Sequence, residues 1–352
     1  MKIFLTGATG LLGGELASRL SKTAEIIYLL VRPKSKIPDH FHKPPFKLIK
    51  GDLSHPRLIF SEDDRQEIIN SVDTMIHVGA YYNLFGDRSE NYLANIVGTQ
   101  NLLFLARESK NLKSFHYISS VAVAGKFRGV FSEDKLDMNQ KFDNPYSETK
   151  FESEYHVRKS TLPVRKRIYR PGVIIGDSQT GAISKKDGPY YFFDFLKKLS
   201  RKKGILKKLP HFPLPFDPNA LLPLIPIDQL ADGIVSEILN PLQPNESLRC
   251  YHLLSQDSPT IEEFLRDSQE AFNLSFLKFW PIPRQIKKVV KKADVLTKFG
   301  MPSDLVDYMY AEARFDQEQA LADITNLNQS SYQQYKKSFF GGTLTRSKGR
   351  IE

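Results

Sequence analysis

The chain has 352 residues, of which 41% are hydrophobic and 26% charged, so it can bury one large or two medium-sized cores. Its one cysteine, Cys250, excludes an internal disulfide, and no stretch approaches the ~20 apolar residues that span a bilayer, which favours a globular cytoplasmic protein. The formal net charge of +10 predicts anionic partners, but it does not choose among phosphates, acidic proteins and lipid headgroups.

The opening stretch MKIFLTGATGLLGGELASRL predicts a strand, a glycine-rich turn and a helix in that order. Its glycines have the spacing GxxGxxG and would let the backbone approach a diphosphate, while the helix would present free N–H groups to the same anion. A glycine-rich turn that binds nothing is the alternative, but the flanking strand and helix favour a dinucleotide site. The residues expected to line it are Thr6, Gly7, Thr9, Gly10, Leu11, Leu12 and Gly13.

The second predicted strand, IIYLLV at residues 26–31, is followed by Arg32. Sites that bind NAD usually have an acid here, which holds the ribose 2′-hydroxyl. An arginine can instead pair with a 2′-phosphate, and Lys34 adds positive charge close by. A solvated basic loop is the alternative, but the pattern favours NADPH as the cofactor.

Strands and helices continue to alternate, which predicts an α/β fold with a doubly wound, parallel, Rossmann-type sheet. FKLIKGDL predicts a strand that ends at Asp52, TMIHVGA one that leads to Gly79, and SFHYISS one that ends at Ser120. Ligands of such sheets bind at the carboxyl ends of the strands, so we expect these ends to meet the cofactor. The further residues expected there are Asp52, Leu53, Gly79, Ala80, Tyr81 and Asn83.

The stretch NPYSETK places Tyr146 and Lys150 four residues apart at the start of a predicted helix, so their side chains share one face. A free tyrosine has a pKa of about 10, and a neighbouring lysine cation lowers this pKa because it favours the phenolate. The pair is therefore a candidate acid–base group, with the Ser120 hydroxyl placed to hold a carbonyl oxygen. A half-buried tyrosine beside a surface lysine is the alternative interpretation.

Over residues 1–180 the chain resembles the extended short-chain dehydrogenase/reductases, because it contains TGATGLLG, GDL, ISS, NPYSETK and RPG in that family's order and spacing. The resemblance implies that Ser120, rather than Ser119, acts with Tyr146 and Lys150 in catalysis, and that Asn95 supports them. It also implies that the backbone of Pro171, Gly172 and Val173 meets the nicotinamide.

Two further stretches, VGAYYN and RPGVIIGDSQTG, resemble the thioester reductase branch of that family, which includes fatty acyl-CoA reductases and the reductase domains of carboxylic acid reductases and peptide synthetases. The branch often has threonine where Ser120 stands, and serine can do the same work. The resemblance implies NADPH-dependent reduction of an acyl thioester, carried by CoA or a carrier protein, to an aldehyde and in some cases an alcohol.

Three other functions stay open on the same scaffold. Two are enzymatic: a sugar-nucleotide epimerase or dehydratase, and a dehydrogenase of the hydroxysteroid type. The third is a regulator that binds NADP without turnover, and the intact YxxxK pattern counts against it.

The second half of the chain has a different pattern and predicts a smaller, mixed substrate-binding part. We expect residues 1–180 to form the NADP-binding domain, with 226–254 returning to it. Residues 181–225 and 255–340 would form the substrate-binding or lid region, and 341–352 a flexible tail.

Residues 185–208 carry nine lysines and arginines and two aspartates, interleaved with aromatic residues and leucines. An apolar face with lysine flanks is typical of a substrate cover or an interfacial helix, and a plain amphipathic helix is the alternative. The anionic partners that fit are an acyl thioester, an acidic acyl carrier protein and a membrane surface. Nothing but charge indicates nucleic acid, and the eight histidines lack metal-ligand spacing, so we expect neither nucleic-acid binding nor a metal site.

Overall fold

The computed structural model describes residues 1–81, 88–184, 188–208, 211–286, 295–298, 301, 305–325, 327 and 331–345. The backbone contacts divide the chain into two units. The first comprises Met1–Gly172, Asp228–Leu253 and Phe315–Leu327, and the second comprises Val173–Ile227, Leu254–Arg314 and Asn328–Glu352.

Strands and helices alternate along the described chain. The strands are β1 (Lys2–Thr6), β2 (Ile26–Val31), β3 (Phe46–Lys50), β4 (Thr74–His77), β5 (Ser114–Ile118), β6 (Gly129–Phe131), β7 (Arg165–Pro171), β8 (Val173–Ile175), β9 (His211–Leu214), β10 (Leu224–Pro226), β11 (Leu248–Leu253), β12 (Lys278–Pro281) and β13 (Ala313–Phe315). The helices are α1 (Leu11–Leu20), α2 (Glu62–Ser71), α3 (Arg88–Asn91), α4 (Gly98–Glu108), α5 (Pro145–Lys159), α6 (Pro189–Ser200), α7 (Lys203–Leu206), α8 (Ile227–Leu239), α9 (Ile261–Ala271), α10 (Val295–Lys298), α11 (Leu305–Tyr308), α12 (Glu318–Asp323) and α13 (Tyr332–Thr345).

The first unit is built on a sheet that, within the described residues, has seven parallel strands in the order β11-β7-β5-β4-β1-β2-β3. This confirms the predicted α/β fold with a doubly wound parallel sheet. The strand order reverses between β1 and β4, and ligands of such sheets bind at the carboxyl ends of the strands at this switch point. The residues that directly follow β1, β4 and β5 therefore meet at one edge of the sheet.

The boundaries of the two units differ from the predicted ones at several places, and the segment predicted to return at 226–254 does so at Asp228–Leu253. Residues 173–180 belong to the second unit, where β8 pairs in parallel with β10 and the Val173 N–H donates to the Pro223 carbonyl at 2.6 Å. Residues 315–327 belong to the first unit rather than to the substrate-binding region. The predicted tail began at residue 341, whereas α13 continues to Thr345, and residues 346–352 lie outside the described chain.

The returning segment 315–327 is held in the first unit by the buried carboxylate of Glu133. This carboxylate accepts three backbone N–H bonds, from His252 at 2.8 Å, Gln319 at 2.5 Å and Ala320 at 3.1 Å. Burial raises the pKa of Glu133 to about 7, although the three hydrogen bonds oppose the shift. Glu133 thus joins β11 to the first turn of α12, both of which lie more than a hundred residues after it in the sequence.

Helix α6 lies in the second unit, and its aromatic side is buried there. Phe192 and Phe193 pack against Phe264 of α9, with ring centroids 5.7 and 5.9 Å apart, and Phe193 also contacts Phe339 of α13 at 5.2 Å. This corrects the expectation that the aromatic residues of 185–208 form an exposed substrate cover or interfacial face, because their partners lie within the same unit. Residues 185–187 lie outside the described chain.

The GDSQTG stretch forms a tight corner of the second unit. Gly181 has a φ of +65°, and a Cβ at this position would collide with the Ser338 carbonyl of α13. The Asp177 carboxylate accepts from the N–H and the hydroxyl of Thr180, both at 2.8 Å. The motif therefore fixes a close backbone approach between this corner and α13.

None of the helices in the described part of the chain has the length and apolar composition needed to cross a bilayer.

A buried ionic cluster joins α5 to the sheet. Glu154 is fully buried, and its carboxylate accepts from Arg170 of β7 at 2.6 and 3.0 Å, from Arg158 at 2.8 Å and from the Ser119 hydroxyl at 2.6 Å. Burial alone would raise the pKa of Glu154, but the two guanidinium groups and the hydrogen bonds outweigh it and lower this pKa to about 2. Glu154 is thus an anion whose charge is compensated inside the protein.

We expect Glu154→Gln to lower the free energy of unfolding of the first unit by about 3–5 kcal/mol, because Arg170 would lose its charge partner in the interior. Urea unfolding followed by circular dichroism measures this loss. The matched control is Glu62→Gln, which breaks an exposed pair with Arg57 and should change little.

The same pair of variants tests the pH dependence. The pKa of Glu154 is lower in the folded than in the unfolded protein, so its stabilisation is present above about pH 4 and is lost as the pH falls towards 2. The stability difference between wild type and Glu154→Gln should shrink over that interval. A difference that stays constant down to pH 2 would contradict the assignment.

Candidate active site

The glycine turn after β1 forms a cradle that admits no side chains. Gly7 has a φ of +81°, and a Cβ there would lie 2.6 Å from the Gly79 nitrogen; a Cβ on Gly13 would collide with the Gly7 carbonyl. Helix α1 begins after Gly10, with no side-chain cap and no acidic residue in its first turn. Its first N–H groups are thus not capped by a side chain, and the backbone geometry fits an anionic diphosphate.

The predicted residues of the cradle differ in exposure. Thr9 and Gly10 are exposed and Leu11 is half-buried, so these three can face a ligand. Thr6 and Leu12 are buried.

The ends of the neighbouring strands carry the other residues that were predicted to bind the cofactor. Arg32 and Lys34 are exposed just after β2, and within the described chain the Arg32 guanidinium forms no ion pair. Asp52 follows β3 by two residues, and one of its carboxylate oxygens accepts from the N–H and hydroxyl of Ser54 at 2.9 and 2.7 Å. The Leu53 side chain packs beside Gly79, where a Cβ would lie 2.6 Å from it. Ala80 is exposed, and Asn83 lies outside the described residues.

A hydrogen-bonded chain that the sequence analysis missed runs from the glycine cradle to Asn95. The Gly79 N–H donates to the Thr6 hydroxyl at 3.1 Å, which lies 2.8 Å from Nδ1 of His77; Nε2 of His77 lies 3.0 Å from the Thr99 hydroxyl. The Thr99 hydroxyl donates to the Asn95 carbonyl at 2.5 Å. This last bond uses the only proton of Thr99, so His77 must donate from Nε2 and accept at Nδ1.

His77 is uncharged in this chain. Burial, and secondarily the Lys150 cation, lower its pKa to about 3. A lone histidine inside a strand gave no signal for this role, because its threonine partners are distant in the sequence.

Asn95 lies in a π-helical stretch, Tyr92–Val97, that joins α3 to α4. Its side chain is buried and accepts from the Tyr81 N–H at 2.7 Å, and its amide donates to the Tyr81 carbonyl at 3.2 Å and to the Thr149 hydroxyl at 3.1 Å. Asn95 therefore joins Tyr81, after β4, to α5.

Helix α5 brings Tyr146 and Lys150 to the carboxyl edge of the sheet. It begins with Asn144, whose side-chain oxygen accepts from the Ser147 N–H at 2.9 Å, and with proline at the first helical position. Tyr146 and Lys150 are both buried. The Lys150 ammonium donates to the carbonyl of Ile118, the last residue of β5, at 2.6 Å.

The Lys150 ammonium is held in a sparsely solvated position. It lies 4.5 Å from the centroid of the Tyr117 ring, which provides a cation–π contact. Burial lowers the pKa of Lys150 to about 7, and Glu154 one turn later opposes this shift. The charge of Lys150 is therefore sensitive to pH near neutrality.

The two serines after β5 have different environments. Ser120 is half-buried, and its oxygen accepts from the Ala122 N–H at 3.1 Å, which leaves its proton for donation. Ser119 is buried and donates to Glu154. Ser120, the predicted serine, therefore borders the sheet edge, whereas Ser119 belongs to the ionic cluster. Two further members of that cluster, Glu154 and Arg158, were not predicted.

Pro171 and Gly172 end the first unit beside β11. Pro171 is buried, and the Gly172 N–H donates to the Leu253 carbonyl at 2.9 Å. Val173 is the first residue of the second unit.

Among known proteins, the chain matches the NAD-binding family described as male sterility protein over residues 5–234. It is 24% identical to a putative fatty acyl-CoA reductase of Drosophila melanogaster, over 96% of this chain and 81% of that protein. It is 26% identical to a linear gramicidin synthase of Brevibacillus parabrevis, over 74% of this chain but only 5% of that protein.

Two solved structures share the fold. The terminal R domain from the myxalamid PKS-NRPS biosynthetic pathway has a TM-score of 0.75 at 24% identity, covering 98% of this chain and 91% of that domain. UDP-glucuronic acid 4-epimerase from Bacillus cereus, in complex with NAD, has a TM-score of 0.67 at 18% identity, covering 100% of this chain and 99% of the epimerase. The family match covers well over half of the chain and confirms the resemblance drawn from its motifs. The chain belongs to the male sterility protein family, within the extended short-chain dehydrogenase/reductases of the thioester reductase branch.

Proposed function

We propose that this protein is an NADPH-dependent reductase that converts an acyl thioester to an aldehyde. One observation carries the proposal: α5 holds the buried Lys150 ammonium at the last carbonyl of β5, two residues before Ser120, and carries the buried Tyr146 one turn before Lys150. A proton donor, its cation and a hydroxyl donor are the groups that reduction of a carbonyl requires.

The relatives support a thioester as the substrate. One is described as a putative fatty acyl-CoA reductase, and the more similar of the two solved structures is the terminal R domain of a biosynthetic pathway. The epimerase has the same fold, so fold alone does not choose between the two chemistries. The IIGDS stretch at residues 174–178 favours the reductase, since epimerases usually have a YGP-like stretch there.

The glycine cradle fits a dinucleotide, since Gly7 and Gly13 leave room for its diphosphate beside the start of α1. When bound, NADPH supplies a hydride to the carbonyl carbon. Arg32, with no acid at the end of β2, would hold the 2′-phosphate. The exposed Arg32 guanidinium and the neighbouring Lys34 support this preference over NADH.

Tyr146 would donate its phenolic proton to the carbonyl oxygen as the carbon is reduced, while the Ser120 hydroxyl donates a hydrogen bond to the same oxygen. The product of this step is a hemithioacetal. As the C–S bond breaks, the hydroxyl proton of the hemithioacetal is transferred to the departing sulfur, which releases the aldehyde and a thiol.

Lys150 would act through its charge. An ammonium beside Tyr146 stabilises the phenolate that remains after proton donation. The bond to the Ile118 carbonyl fixes the ammonium at the end of β5. Lys150 would also contact the ribose next to the nicotinamide.

A substrate screen tests the proposed function. NADPH oxidation, followed by its near-ultraviolet absorbance, should occur with a long-chain acyl-CoA and not with a sugar nucleotide or a ketosteroid. NADPH oxidation with the ketosteroid alone, or epimerisation of the sugar nucleotide without net oxidation, would replace the proposal with one of the other dehydrogenase or epimerase functions.

We expect Tyr146→Phe to lower kcat by about 10²–10⁴-fold, the usual contribution of a general acid, because the ring stays and the proton donor is lost. The affinity for NADPH, measured by fluorescence titration, should change little. The matched control is Tyr155→Phe on the exposed side of the same helix, which should retain full activity.

The pH profile tests Lys150. Its pKa is lowered to about 7, so the ammonium is present below that pH and is lost as the pH rises through it. We expect kcat/KM for reduction to fall over the same interval. Lys150→Arg keeps its charge throughout, so its residual activity should lack this inflection; an unchanged inflection would assign it to another group.

We expect Arg32→Ala to weaken NADPH binding by roughly ten- to a hundredfold, the value of a charged hydrogen bond, and to leave NADH binding nearly unchanged. Arg107→Ala, which removes an exposed arginine at the end of α4, controls for the change in net charge. Equal affinity of the wild-type protein for NADPH and NADH would contradict the assignment.

A further inference from the structure

The second unit contains a two-stranded ribbon whose two faces differ in exposure. Strands β9 and β12 pair in parallel, with Pro213 opposite Trp280. Phe212 and Phe279 point inward and contact the aromatic side of α6, with centroids 5.8 Å from Phe195 and 6.1 Å from Phe192, respectively. Because side chains alternate along a strand, the ribbon turns its other face outward.

That outward face exposes a large apolar side chain. Trp280 is 62% exposed, and its cross-strand partner Pro213 is exposed as well. It is the only tryptophan of the protein. Lys278 and His211, also opposite each other, are exposed on the same face. An exposed indole with polar neighbours is typical of aromatic residues that lie at the boundary between a bilayer and water.

The ribbon lies next to a strongly basic segment. Residues 195–208 contain seven lysines and arginines and no acid. This segment includes the C-terminal half of α6, the helix against which the ribbon packs. Five of its basic side chains form no ion pair within the described chain: Lys198, Arg201, Lys203, Lys207 and Lys208. Four of these five are exposed, and Lys203 is half-buried. Lys207 and Lys208 lie only a few residues before β9, so the charge continues along the chain to the ribbon.

We propose that these five basic residues and Trp280 form a basic docking surface for an anionic lipid bilayer. The lysines and Arg201 would lie over acidic headgroups, and the indole would enter the headgroup layer. The inserting residue differs from the ones that the sequence pattern favoured, since the aromatic side of α6 is buried and the ribbon supplies the indole.

The distribution of apolar area favours a bilayer over a protein. A stable protein interface buries about 800 Å² on each partner around an apolar centre. Here the exposed apolar part of the ribbon is one indole with two prolines, Pro213 and Pro281, beside a basic segment. A bilayer needs only one inserted aromatic residue together with electrostatic attraction, and the combination of the two signals suffices for reversible binding.

Vesicle binding by the intact protein tests the inference without any turnover, so it succeeds or fails independently of the proposed reductase activity. Because Trp280 is the only indole, its emission reports directly on the docking surface. We expect a blue shift on addition of vesicles that contain phosphatidylserine and none with phosphatidylcholine alone. Co-sedimentation with the same vesicles should weaken as salt is added.

Two sets of variants separate the contributions. The triple variant Lys198→Glu, Lys203→Glu, Lys207→Glu should lower the vesicle partition coefficient by about a hundredfold or more, the effect of removing three basic residues from an anionic surface. The control carries the same change in charge on exposed lysines of the first unit: Lys22→Glu, Lys110→Glu, Lys113→Glu. Trp280→Ala, followed by co-sedimentation, should weaken binding while leaving part of its salt dependence. Circular dichroism verifies that each variant folds.

Three results would overturn the inference. One is an equal loss of vesicle binding in the two triple variants, which would show that the loss depends on net charge alone and not on the position of the lysines. Another is an indole emission that does not respond to anionic vesicles. The last is an emission that responds to CoA or to an acidic carrier protein in the absence of vesicle binding, which would assign the surface to that partner.

Discussion

The arrangement of the first unit depends on the compensation of one buried anion. Glu154 cannot keep its charge in the interior unless Arg170 and Arg158 remain beside it. Arg170 belongs to β7 and Ser119 to the end of β5, so a single carboxylate fixes α5 against two neighbouring strands. The position of Lys150, one helical turn away, follows from this constraint. The chemistry at the sheet edge therefore depends on a group that takes no part in it.

Local patterns were sufficient to predict most of the first unit. The apolar run at residues 26–31 coincides with β2, and the glycine spacing matches a turn in which Gly7 and Gly13 have no room for a side chain. The helical spacing of Tyr146 and Lys150 likewise places them on α5. These features depend on neighbours in the sequence, so periodicity and steric rules identify them.

Features made by distant residues could not be predicted in this way. Glu133 accepts hydrogen bonds from the N–H groups of residues 319 and 320. Nothing in the sequence near residue 133 or near residues 319 and 320 indicates that pairing. The phenylalanines of α6 are buried because α9 and α13 cover them, whereas the sequence alone shows an amphipathic helix whose apolar face could meet any partner. His77 was missed for the same reason, since its role is defined by Thr6 and Thr99. The sequence shows whether a side chain is apolar or polar, but it does not show which distant residue that side chain contacts.

The return of residues 315–327 to the first unit has a consequence for the synthesis of the chain. The ribosome synthesises the strands of the sheet before it translates this segment. The nascent first unit therefore stays incomplete while residues 254–314 of the second unit are synthesised. During that interval Glu133 lacks the donors of α12, and Asp323 is not yet present to accept from Tyr251 of β11. Completion of the first unit is thereby tied to the translation of the chain as far as residue 327.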